Sequence, residues 1–169
     1  MNLVAIFAFA TFTTLAAASS TGLKPPELQH QIQEKGAKAV AEALFANKSS
    51  WATLTKNVRS GKSAWIDVAV RLRSGTDGGA SSELQDALFA ALAKNPRHVL
   101  QVSAPTVPIK VLCSGRSDPL PTANAAFSEI DRIQGAVGRV QDKHLVEQQK
   151  DCLNALEEAK TNTKRFFKD

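Results

Sequence analysis

The side chains able to do acid–base or nucleophilic chemistry are few: His30, His98 and His144 are the only histidines, and Cys113 and Cys152 the only thiols. None of the histidines stands in H-E-x-x-H, beside a G-x-S-x-G serine, or at a Cys/His metal spacing. Two pairs come nearest to a site. His30 with Glu34 and His144 with Glu147 each share a helix face, so each pair could give a metal two ligands. Two ligands do not close a site, and solvated surface pairs are the simpler reading. No catalytic residue, metal site or cofactor is assigned.

Two other groupings could bind rather than react. The turn Gly75-Thr76-Asp77-Gly78-Gly79 follows Arg71 and Arg73 and precedes a helix, so free N–H groups and guanidinium charge could hold an anion there. No P-loop lysine follows, and an ordinary glycine-rich turn accounts for the same residues. Trp51 and Trp65 could stack on a sugar, although tryptophan at helical spacing is more often core.

Charge is unevenly spread. Residues 48–73 carry Lys48, Lys56, Arg59, Lys62, Arg71 and Arg73 against Asp67 alone, and residues 94–117 add Lys94, Arg97, Lys110 and Arg116 with no acid. Residues 74–93 hold Asp77, Glu83 and Asp86 with no base. Such a field steers acidic protein surfaces, anionic lipid headgroups or lipopolysaccharide, or merely aids solubility. Lys56, Arg59, Lys62, Arg71 and Arg73 are the candidate surface for an anionic partner, expected to face solvent because Trp65, Ala69 and Leu72 take the buried stripe.

The elements that must position these groups read as helices. Leu28, Ile32, Val40 and Leu44 form one apolar stripe, predicting a helix over 26–46 with prolines tolerated in its first turn and Gly36 inside it. Ser49 or Ser50 should cap a helix carrying Trp51, Leu54 and Val58 and ending near Gly61. The next carries Trp65, Ala69 and Leu72. Ser81 or Ser82 should cap the one with Leu84, Leu88, Ala91 and Leu92, and a short helix follows Asn95-Pro96.

From Ser103 to Pro121 scattered prolines predict a long loop, with Ile109 to Leu112 as a brief strand, and so long a loop needs ties. Helical period then returns with Phe127, Ile130, Val137 and Val140. Asp142 should cap a last segment with Leu145, Cys152, Leu156 and Ala159, giving a hairpin or one bent helix. The expectation is an all-α domain of about seven helical segments. Its core should include Leu44, Trp65, Ala69, Leu72, Leu84, Leu88, Leu92, Ile130, Val137 and Leu156.

The chain of 169 residues, 22% charged and 43% hydrophobic, fits one globular domain. Leu3 to Ala18 is uncharged and ends in Ala16-Ala17-Ala18, which reads as a secretory signal peptide over 1–18 rather than a membrane span. A retained anchor is the other reading, because no Lys or Arg precedes the apolar run. Residues 19–169 would then be the mature domain, frayed at 19–25 and 166–169. About 150 residues suffice for a core without a metal or a dense disulfide framework.

In an oxidising compartment Cys113 and Cys152 are a redox pair, two buried thiols or, as expected from their spacing, a structural disulfide fastening the proline-rich loop to the last helix. Trp65, Asp67, Ala69, Leu72, Gly75-Thr76-Asp77, Ser81, Leu84, Ala87-Leu88, Ala91-Leu92 and Asn95-Pro96, followed by Cys113 and Cys152, resemble a family of small exported all-helical proteins of Gram-negative bacteria. The resemblance implies a periplasmic location and no activity.

The expected function is that of a periplasmic or secreted, non-enzymatic interaction protein: an adaptor, an inhibitor or an immunity-type protein. Its partner would be an acidic protein or an anionic envelope component, with no nucleic acid and, once the signal peptide is cleaved, no stable membrane anchor. The alternative is an enzyme or metalloprotein assembled around the dispersed histidines.

Overall fold

The computed structural model of the chain describes residues 22–118 and 120–168. Among them lie nine α-helices and no strand, and 73% of the described residues are helical. The signal peptide expected over 1–18 lies outside the described residues.

The helix expected over 26–46 is two helices, α1 (Pro25–Lys35) and α2 (Ala37–Ala46). Gly36 separates them at φ 82° and ψ 154°, a region essentially reserved for glycine. Nothing lies within 4 Å of where its Cβ would be, so the backbone and not close packing requires the glycine. Leu28 and Val40, which share one sequence stripe, are both buried in the core, one from each of the two helices.

Helix α3 (Lys48–Arg59) is capped by Asn47, whose Oδ1 accepts from the Ser50 N–H, rather than by Ser49 or Ser50. It ends at Ser60, and the chain turns at Gly61 as expected. Helix α4 (Ser63–Arg73) is the central element, packing on α1, α2, α3, α5 and α6. It therefore buries Ile66, Val68 and Val70 as well as Trp65, Ala69 and Leu72. Helix α5 (Gly78–Ala91) starts one turn before the predicted serine caps, with Asp77 at its N-cap, and α6 (Pro96–Ser103) follows Asn95.

The predicted strand is instead a single helical turn, α7 (Ile109–Leu112). It has no neighbouring extended chain to pair with among the described residues. Ile109 and Leu112 go inward, Leu112 to full burial, while Val111 stays exposed, and the Gln85 side-chain amide donates to the Val111 carbonyl at 2.8 Å.

Helices α8 (Ala123–Gly138) and α9 (Val146–Phe166) form an antiparallel hairpin. Lys160 pairs with Asp131 at 2.6 Å midway along α8, while Gln149 Nε2 donates to the Val137 carbonyl at 2.9 Å near the connecting turn. Asp142 does not cap α9. It closes the turn before it, its Oδ1 accepting from the His144 N–H at 3.0 Å.

All ten predicted core residues are buried, in one apolar cluster running from Leu28 to Ala159. Phe127 and Val140, placed on the α8 stripe, are only half-buried, whereas Ile133 and Ala136 are buried on that helix. The end expected to fray at 19–25 is already helical at Pro25, and Leu23 packs against the core.

Candidate functional site

The three histidines do not converge. His30 sits on α1 beside Glu34, at 3.3 Å with both side chains more than half exposed, as expected for a surface pair. His144 lies in the α8–α9 turn. His98, on α6, has its Nε2 2.8 Å from Asp67 Oδ1 on α4. Among the described residues no group of three or more His, Cys, Asp or Glu side chains is placed to hold a metal ion.

Both tryptophans are core. Trp51 is buried with its indole N–H donating to Glu83 Oε2 at 2.7 Å, and Trp65 is buried on the central helix. Within the glycine-rich turn only Gly75 is pressed against protein, where a Cβ would run into the Lys38 main chain at the start of α2, while Gly78 has nothing within 4 Å and the turn lines a small cavity of about 130 Å³ with Ala41 and Phe45.

The five candidate basic residues do not form one surface. Lys56, Arg59, Lys62 and Arg71 are exposed, but Arg73 is half-buried and donates to Ser81 Oγ in the first turn of α5. Burial lowers its guanidinium pKa, and its Nε has no hydrogen-bond partner. Arg73 is thus a packing contact between helices, not part of an open face. Arg71 is nine residues beyond Lys62 on α4, roughly 13 Å along a helix rising about 1.5 Å per residue.

Other cations join Arg59 and Lys62. The Asn95 amide donates to the Gly61 carbonyl at 3.0 Å and to Ser63 Oγ at 3.1 Å, pinning the α5–α6 turn on the α3–α4 turn. Contact is so close that a Cβ on Gly61 would lie 2.5 Å from Lys94 Cβ. Arg97, in the first turn of α6, donates through Nε to Asp142 Oδ2 at 2.9 Å, which brings the α8–α9 turn and Lys143 to the same end. Asp142 is held below the usual carboxylate range, first by the His144 N–H and then by the Arg97 guanidinium.

Three interhelix turns thus meet at one pole carrying Arg59, Lys62, Lys94 and Lys143, all exposed. None of the four has a carboxylate within 4.0 Å among the described residues. The sequence shows Lys94 and Lys143 as charges, but no spacing signals that the Asn95 amide would gather them. Nor does it reveal a groove at the other end of the α8–α9 hairpin.

That groove lies between residues 114–118 with Leu120, the start of α8 and the end of α9, with a volume of about 330 Å³. Its loop wall is tied twice. The sulfurs of Cys113 and Cys152 sit at disulfide distance with Cα atoms 5.2 Å apart, joining the loop to α9 as expected. Asp86, buried on α5, accepts from the Ser117 N–H at 2.8 Å and from Ser117 Oγ at 2.9 Å.

Among the described residues no helix is long and apolar enough to cross a membrane. Comparison with protein-family models, with curated proteins and with solved structures finds no match to this chain.

Proposed function

We propose that the chain is an exported, non-enzymatic interaction protein that docks an anionic partner, an acidic protein or an envelope component, through the pole of Arg59, Lys62, Lys94 and Lys143. The observation that carries this reading is the convergence of three turns bearing exposed cations without carboxylate partners. Export rests on the apolar run from Leu3 to Ala18, and a periplasmic location also on the resemblance to exported helical proteins. Several like charges gathered at one end raise encounter rates with an oppositely charged surface and fix its orientation.

Capture from an envelope extract, with wild-type chain and with an Arg59→Gln/Lys62→Gln/Lys94→Gln/Lys143→Gln variant, tests the reading. A specific partner should be lost from the variant, and lost from wild type as salt shortens the Debye length from about 10 Å at 0.1 M to about 3 Å at 1 M. Arg71→Gln should leave capture unchanged. A partner held equally by the fourfold variant would end the assignment of the pole.

The second reading, an enzyme with His98 in its site, is favoured only by the His98–Asp67 contact, which orients an imidazole as catalytic dyads do. His98→Ala with an unchanged cellular phenotype would dispose of it.

A further inference from the structure

We propose that the groove between residues 114–118 with Leu120, α8 and the end of α9 binds a small, uncharged, apolar ligand. This site is at the opposite end of the α8–α9 hairpin from Lys143 and shares no residue with the basic pole.

Size sets the first limit. At about 330 Å³ the groove falls at the lower end of small-molecule sites, which span roughly 300 to 1,000 Å³. Its floor is apolar, made by Phe89, Ile130 and Ala159, each buried in the core.

One wall is fixed in advance. The loop is joined to α9 through Cys113 and Cys152 and to α5 through Asp86, which accepts from both the N–H and the hydroxyl of Ser117. A wall so tied does not collapse into the space beside it, and a preformed site loses little on ordering when a ligand enters. At the opposite lip Phe166 and Phe167 meet edge to face with centroids 5.1 Å apart. They remain 63% and 36% exposed, aromatic surface in water at the mouth of an apolar groove.

Charge decides what kind of ligand fits. The charged side chains of the lining are Arg116 and Glu129, 3.4 Å apart and exposed by only 17% and 11%. They neutralise each other in a half-buried setting, where an unpaired charge is costly. An anion entering the groove would meet Glu129, and a cation would meet Arg116. An uncharged apolar molecule meets neither penalty and covers the two phenylalanines.

Titration of the full chain with N-phenylnaphthylamine, a neutral dye that brightens in apolar surroundings, provides the test. Saturable binding at one site is expected, weakened about tenfold or more by Ala126→Phe, which fills the groove from α8. Phe166→Ser/Phe167→Ser, at exposed positions, should weaken it without altering the thermal unfolding of the domain. The anionic anilinonaphthalenesulfonate should bind more weakly than the neutral dye.

Absence of saturable binding, or binding of the neutral dye undiminished in both variants, overturns the site. Tighter binding of the anionic dye overturns the ligand class. The fourfold pole variant should bind the dye as wild type does, so loss of the partner and loss of the ligand are separable results.

Discussion

Asp86 on α5 accepts hydrogen bonds from both the main-chain N–H and the hydroxyl of Ser117, at 2.8 and 2.9 Å, thirty-one residues along the chain. This buried carboxylate organises a stretch without regular structure of its own. Its Oδ2 also accepts from the Asp118 N–H at 3.4 Å. Asp86→Ala should therefore cost about 1.5 to 3 kcal/mol, the range for hydrogen bonds to a charged group. It should also open residues 114–118 to proteolysis. Urea unfolding and limited digestion are the measurements, and an uncut loop would show that the disulfide alone holds it.

Cys113 and Cys152 should resist thiol labelling of the exported protein under denaturing, non-reducing conditions. With a sequence separation of 39, the cross-link removes chain entropy from the unfolded state worth about 4 kcal/mol. Cys113→Ala/Cys152→Ala should lower unfolding stability by up to that amount. Two labelled cysteines in the exported protein would refute the disulfide.

Leu88 is fully buried, on α5 where it packs against α3 and α4. Leu88→Ala removes buried methyl groups and leaves a cavity, at a cost of about 2 to 5 kcal/mol by denaturant titration.

Gly36→Ala should destabilise by about 1 to 3 kcal/mol although the space for a methyl group is open, because φ 82° with ψ 154° is unfavourable for any Cβ. Gly138→Ala is the matched control. Nothing lies within 4 Å of its would-be Cβ and its φ is not positive, so alanine should be neutral or stabilise by up to about 1 kcal/mol. Thermal melts of the two variants separate backbone strain from packing.

The His144 N–H and the Arg97 guanidinium hold the Asp142 carboxyl below its ordinary, unfolded-chain pKa in the folded protein. Its contribution to stability is therefore present above that unfolded value and is lost as pH falls through the depressed folded one. Asp142→Asn should flatten the acid limb of the stability curve below about pH 4 while changing little at pH 7 in its slope. A limb as steep as that of wild type would assign it to other carboxylates.

The amino-acid sequence by itself determined the helical class and the ten predicted core residues. Apolar spacing such as Leu84, Leu88 and Leu92 records which face of a helix leaves water, and that information is local. It also marked the stop at Gly61 and the cysteines as candidates for pairing. Local pattern misled where two local solutions compete: Asn47 and not Ser49 or Ser50 caps α3, and Gly36 breaks a stripe that runs across it without interruption.

Only the tertiary structure decided which charges act together. Arg73, a cation like its neighbours in sequence, is half-buried against Ser81, because the central helix α4 is surrounded on most sides. Lys94 and Lys143 join Arg59 and Lys62 through Asn95 on Gly61 and Arg97 on Asp142, contacts spanning 34 and 45 residues. Side-chain type and spacing carry no record of such long-range hydrogen bonds, since they form only when whole helices have packed.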